Sequence, residues 1–202
     1  MLEGGREILL TICLNANFHD LVAVLLAFPE SFLTMGDQQH GLLKVTVVQG
    51  KRLVIRDFKS SDPYVIVKLG NQTARTKVIN SCLNPVWNEE LLFSLTEPLS
   101  GILNLEVFDK DRFKADDKMG RAELNLQPIA SAARLKQIIH VSSPGQTVLR
   151  KVVPDSDNCL LRESTISCVD GEVVQCVWLK LREVESGEIE LKIKLTTTSS
   201  ST

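Results

Sequence analysis

GLLKVTVVQGKRLVIRDFKSSDPYVIVKLG, residues 41–70, sets two apolar runs on either side of a loop that carries Asp57 and Asp62. In LLKVTVV, Leu43, Val45 and Val47 alternate with Lys44 and Thr46, the period of two that a half-buried strand requires. Similar runs recur at residues 64–69, 73–79, 90–95, 102–108 and 122–126. Nearer the C-terminus, residues 160–169 and 172–181 flank Asp170-Gly171, a dipeptide that supplies positive φ at both centres of a type I′ hairpin turn. After a turn at Ser186-Gly187, Ile189, Leu191, Ile193 and Leu195 face one way and Glu190, Lys192 and Lys194 the other. Eight or nine short strands with turn signals between them predict an all-β antiparallel sandwich. One stretch breaks the pattern. Residues 128–139, PIASAARLKQII, carry Pro at a helix start and an alanine-rich body, which predicts a short helix, and residues 141–158 follow as a loop rich in Ser, Pro and Gly.

Composition bounds the function. The 202 residues are 44% hydrophobic and 24% charged, enough for one packed core and unlike a disordered chain. With 23 Lys and Arg against 25 Asp and Glu, and aromatics at 5%, neither phosphate wrapping nor base stacking is served, so no nucleic-acid partner is expected. The five cysteines include no C-x-x-C pair, which points to a reduced interior rather than a disulfide framework. Residues 1–34 read as a leader of uncertain status, with two apolar runs separated by Asn15, Asn17, His19 and Asp20. Those polar residues argue against a spanning helix, and Glu3 and Glu7 argue against a signal peptide. Met35 stands where the regular pattern begins, so the domain is taken as residues 35–195, with 196–202 as a flexible tail.

Aspartates carry the chemistry. Asp57 and Asp62 lie in the loop after the first strand; Asp109, Asp111, Asp116 and Asp117 lie in FDKDRFKADDKMG after Phe108. Carboxylates at short, uneven spacings suit Ca²⁺, which takes six to eight oxygen ligands in a flexible shell, better than octahedral Mg²⁺. Asp is also common in turns for local hydrogen-bonding reasons, and either loop alone is open to that reading. Two such loops at one end of a sandwich shift the balance. Two carboxylates ~5 Å apart at an effective dielectric of ~20 repel by roughly 3 kcal/mol, so five together need a cation.

The motifs SDPYV, NPVWNE and FDxDxFxxDDxMG, spread over residues 41–126, resemble a calcium-binding C2 domain. The C-terminal third, from LQPIASAA through DNCLLRESTISCVDGEVVQCVWLKLREVESGEIEL, narrows the resemblance to the small plant C2-domain abscisic-acid-related proteins. That resemblance implies an eight-stranded antiparallel C2 sandwich, with a helix and loop insertion at about residues 128–158 before the last strands. It implies about two Ca²⁺ ions held by the carboxylates of Asp57, Asp62, Asp109, Asp111 and Asp117 and by the backbone carbonyls of Arg56 and Lys110, with Asp116 a solvated neighbour. It implies an adaptor that takes abscisic-acid receptors to the plasma membrane from the cytoplasm, with the nucleus as a second compartment. The alternative is a non-catalytic activator of a partner GTPase or ATPase, related to the C2 module of plant Arf GTPase-activating proteins.

Anionic phospholipid is the expected surface. Phe58 and Lys59 would form one loop tip and Arg112, Phe113 and Lys114 the other, an aromatic ring between cations being suited to a headgroup layer. The competing reading of Phe113 is a ring folded back onto the sandwich. Lys68, Arg75 and Lys77 form a second basic patch on two successive strands, or simply a solvated strand face. No G-x-S-x-G, P-loop or H-E-x-x-H pattern is present, so no enzyme is expected.

Overall fold

The first strand, β1 (His40–Lys51), turns Leu43, Val45 and Val47 to one side, where all three are fully buried. The computed structural model describes residues 40–56, 58–96, 101–139 and 145–198; the leader 1–34, Asp57 and residues 199–202 lie outside them. After β1 come β2 (Pro63–Leu69), β3 (Gln72–Arg75), β4 (Val86–Thr96), β5 (Ile102–Asp109) and β6 (Asp117–Asn125). The helix α1 (Gln127–Ile139) follows, then β7 (Gln146–Val152), β8 (Ser164–Val169), β9 (Glu172–Lys180) and β10 (Glu188–Thr198). One sheet has the order β4-β1-β10-β9-β8-β7 and the other β3-β2-β5-β6. Val65, Val67, Leu103, Leu105 and Val107 of the smaller sheet are buried in one core with Leu43, Val45, Val47, Leu191 and Ile193 of the larger. The fold is therefore the all-β antiparallel sandwich that the period of two predicts.

Among the described residues ten strands replace the expected eight, for identifiable reasons. β7 lies inside the stretch expected to be a loop, and of its seven residues only Leu149 is buried, so an edge strand leaves almost no alternation in the sequence. β3 stops at Arg75, short of residue 79, because the Thr76 hydroxyl takes the bond from Val65 N–H at 3.0 Å. β8 begins only at Ser164; ahead of it, Leu161 N–H donates to the Trp178 carbonyl and Lys180 N–H to the Cys159 carbonyl, both at 2.8 Å. β10 runs to Thr198 and pairs Thr196, Thr197 and Thr198 with Leu42, Gly41 and His40, so the start of the expected tail is strand. The expected hairpin turn is present, with Asp170 at φ 47° and Gly171 at φ 81°. Asn125 Oδ1 accepts from Gln127 N–H at 2.8 Å at the start of α1, whose Ile129, Ala132 and Ala133 are buried.

The smaller sheet is joined to the larger at its β6 edge. Arg121 and Arg182 exchange backbone hydrogen bonds of 3.2 and 2.7 Å, and Gly120 beside them has φ +117°. A Cβ there would stand 2.7 Å from Val184 Cγ2 and 3.2 Å from the Arg182 carbonyl oxygen. Gly120→Ala is expected to cost about 3 kcal/mol in urea unfolding, from a strained φ together with an overpacked contact. Gly145→Ala, at φ +111° with open space around it, should cost only the backbone share of about 1 kcal/mol; equal losses would remove the contact from the explanation.

Candidate functional site

Three adjacent strands of the smaller sheet end on one rung. Pro63 of β2 pairs with Asp109 of β5, and Asp109 pairs with Asp117 of β6. Register alone therefore brings Asp62, Asp109 and Asp117 to the same edge. Asp109 is 1% exposed, and its Oδ1 accepts from Asp62 N–H at 2.5 Å. Asp62 in turn accepts from Ser81 N–H at Oδ1, 2.7 Å, while its carbonyl accepts from Lys110 N–H at 3.0 Å. Cys82 N–H donates to the Ser61 carbonyl at 2.9 Å, so residues from three loops are stitched around Asp62. Arg56, expected to lend its carbonyl, is held there by its N–H on Ser61 Oγ and its Nε–H on the Lys118 carbonyl, both 2.9 Å. Asp57 lies outside the described residues.

Asp111 joins the group through a lysine. Lys114 Nζ donates to Asp117 Oδ2 at 2.6 Å and stands 3.5 Å from Asp111 Oδ2, an oxygen shut off from solvent. The hydrogen bond to Asp117 holds the Lys114 ammonium above the usual lysine range. Lys114 thus lies against the two carboxylates while its side chain stays 57% exposed. Among the described residues no three acidic, histidine or cysteine side chains already close on one point. The donor set nonetheless fits a hard cation: every group is oxygen, Asp109 is sealed in, and a positive charge already sits between Asp111 and Asp117.

Asp116 is not the solvated neighbour expected from the sequence. It accepts from Tyr64 Oη at 2.7 Å, from Lys110 Nζ at 3.0 Å and from Asp111 N–H at 3.1 Å, and so braces the loop from behind. The sequence held one clue to this. Tyr64 is the only tyrosine, in a strand packed on Phe108 with ring centroids 5.8 Å apart, and a buried phenol needs a partner for its hydroxyl.

The tips differ sharply from this tied interior. Phe58 is 96% exposed and Phe113 99%, so Phe113 is not folded back on the sandwich. Lys59 Nζ lies 5.9 Å from the centre of the Phe58 ring, and Arg112 is exposed. The second basic patch is partly paired. Lys68 is bound to Glu106 at 2.5 Å, while Lys77, 3.9 Å from Glu89, and Arg75 are both exposed.

With this geometry in place, known proteins give it a family. The C2 domain family matches residues 41–141. Protein C2-domain ABA-related 11 of Arabidopsis thaliana is 74% identical over 155 residues, covering 77% of this chain and 92% of that protein. The chain belongs to the C2-domain ABA-related family. Within the same range, GTPase activating protein 1 of Oryza sativa subsp. indica is 49% identical over 154 residues, covering 76% of this chain and 90% of that one. Among solved structures, the calcium-bound tandem C2 domains of extended synaptotagmin 2 share the fold at TM-score 0.52 and 23% identity, over 77% of this chain and 45% of that chain.

The brace behind the loop can be read by titration. Burial first, and then the hydrogen bond and charge of Asp116, push the Tyr64 phenol up to about 12. The unfolded chain releases that proton near pH 10 while the folded protein keeps it, so stability from this group is complete below pH ~10 and falls as pH rises toward 12. Because the chain has one tyrosine, phenolate absorbance reports Tyr64 alone. A midpoint near 12 is expected, moving down in Asp116→Asn; a midpoint at the ordinary value of ~10 would rule out the closed phenol.

Proposed function

We propose that the protein is a calcium-dependent phospholipid-binding adaptor that works at the cytoplasmic face of the plasma membrane and carries a partner protein there. The observation that carries this reading is two almost fully exposed phenylalanines, Phe58 and Phe113, standing beside an anionic rung built from buried and tied carboxylates. An exposed ring is unfavourable in water and is well placed for an interface where it can sink below the headgroups. Among the described residues no helix is long and apolar enough to cross a membrane, so attachment through these tips is the contact the geometry offers.

Asp57, Asp62, Asp109, Asp111 and Asp117, with the carbonyls of Arg56 and Lys110, would hold about two calcium ions. Bound calcium would supply positive charge where the formal balance of the chain is −2, and would accept lipid phosphate oxygens as ligands. Asp109 is the fixed point of the set, since its burial and its bond from Asp62 N–H leave it no other position. Phe58 and Phe113 supply the apolar share of binding, and Lys59 and Arg112 beside them face anionic headgroups. No chemical step is assigned to the chain. The partner class is inferred from the family, whose members' names tie them to ABA, and abscisic-acid receptors at the membrane, with a nuclear pool, are the specific proposal.

Sedimentation with phosphatidylserine vesicles tests the core of this. Binding is expected with calcium and not with chelator, and Phe113→Ala should weaken it by about tenfold or more, the weight of one ring withdrawn from water. Calorimetric titration should show calcium binding lost in both Asp57→Asn and Asp109→Asn. Equal vesicle binding with and without calcium, or calcium heats unchanged in both variants, would overturn the assignment.

The rice relative, whose name is GTPase activating protein 1, supports a second reading, in which the same domain stimulates a partner GTPase. GTP turnover by a small GTPase, measured with and without the protein on vesicles, separates the two; an unchanged rate leaves the adaptor reading alone.

A further inference from the structure

The loop after β5 uses two lysines for different ends. Lys110 is bound to Asp116, which also holds Tyr64 and Asp111 N–H, so that set fixes the loop's shape. Lys114 takes no part in it. Its ammonium instead bridges Asp117 and Asp111, at 2.6 and 3.5 Å, although the residue next to it, Phe113, is the most exposed large apolar side chain described. Arg112, on the other side of Phe113, makes no ion pair among the described residues. The carboxylate of Asp111 is only 10% exposed, and a carboxylate so withdrawn from water is costly without a cation beside it.

We propose that Lys114 is an internal occupant of the metal site, neutralising Asp111 and Asp117 in the calcium-free protein and passing to the lipid-facing tip when the site is loaded. This rests on the calcium reading above. Three features favour it. The two carboxylates that Lys114 bridges are both members of the expected ligand set. The frame of the loop does not depend on Lys114, so its departure leaves Asp116, Tyr64 and Lys110 in place. The shorter contact, to Asp117, joins side chains 57% and 41% exposed and is worth a factor of only about two to five, and a flexible four-carbon stem lets the ammonium turn outward without moving the backbone. Once released, Lys114 stands with Arg112 on either side of Phe113 and adds a cation to the membrane contact. One side chain thus raises the calcium level needed for loading and strengthens lipid binding after it.

Opposite signs in one variant make the test. Lys114→Met is expected to bind calcium about two- to fivefold more tightly by calorimetry, yet to bind phosphatidylserine vesicles about fivefold less tightly at saturating calcium, the loss of one cation at an anionic surface. Arg112→Met removes the same charge from the same tip and should weaken vesicle binding likewise, with less than half the gain in calcium affinity. In the wild-type protein, amine acetylation of Lys114 should be slow beside that of Lys59 without calcium and comparable with it. Equal calcium affinities in the two variants, or acetylation of Lys114 that calcium does not change, would overturn the proposal while leaving the calcium site standing. Absence of any calcium heat in the wild-type protein would overturn both, and is a different result.

Discussion

Two carboxylates on one rung, Asp109 and Asp117, set the terms for the whole loop end of the sandwich. Like charges directly opposite each other across antiparallel strands are destabilising, and the register of β5 against β6 leaves them no other arrangement. Asp109 cannot relieve the repulsion by moving to solvent, because it is buried and its Oδ1 is held on Asp62 N–H. Neutralisation has to come from the loops. That requirement accounts for the density of bonds there: Ser81 N–H on Asp62, Lys110 N–H on the Asp62 carbonyl, and Lys114 between Asp117 and Asp111. The sandwich supplies the rung, and the loops supply everything that makes the rung tolerable.

Much of this is readable from residue order, and the divide falls on a physical line. Strands that bury alternate residues, such as Leu43, Val45 and Val47 or Ile189, Leu191 and Ile193, announce themselves because burial imposes the period. β7 does not, since an edge strand burying only Leu149 is under no such pressure. The ligand candidates Asp62, Asp109, Asp111 and Asp117 are legible as acidic residues at loop positions, and strand register then explains why three of them lie along one edge. The roles of Asp116 and Lys114 are not legible, because they depend on which way two neighbouring side chains turn. Nothing in KADDK separates an aspartate that braces Tyr64 from one that pairs with Lys114.

The smaller sheet's outer face shows how pairing changes the meaning of a basic residue. Lys68 and Lys118 both approach Glu106, whose carboxyl is held below its usual range by the hydrogen bond from Lys68, with burial opposing. A cation held this way carries little net field, and of the patch expected from Lys68, Arg75 and Lys77 the exposed members are Arg75 and Lys77. At the tips the opposite holds. Phe58 and Phe113 stand almost fully exposed on loops whose aspartates are bonded to one another's backbone, Asp62 N–H to Asp109 and Asp111 N–H to Asp116.

Asp116 and Asp117 are adjacent in the chain and divide the work of the loop between them. Asp116 is turned toward Tyr64, where the Tyr64 hydrogen bond, opposed by burial and aided by Lys110, lowers its pKa. It is fully committed to structure and has no spare charge to offer. Asp117 is held by a single flexible lysine, and its side chain stays 41% exposed. A frame that needed Asp117 would resist any change at the rung, and a site that included Asp116 would lose its backing when its charges rearranged. Keeping the bracing carboxylate and the exchangeable one on neighbouring residues lets the charge at the tip change while the loop keeps its shape.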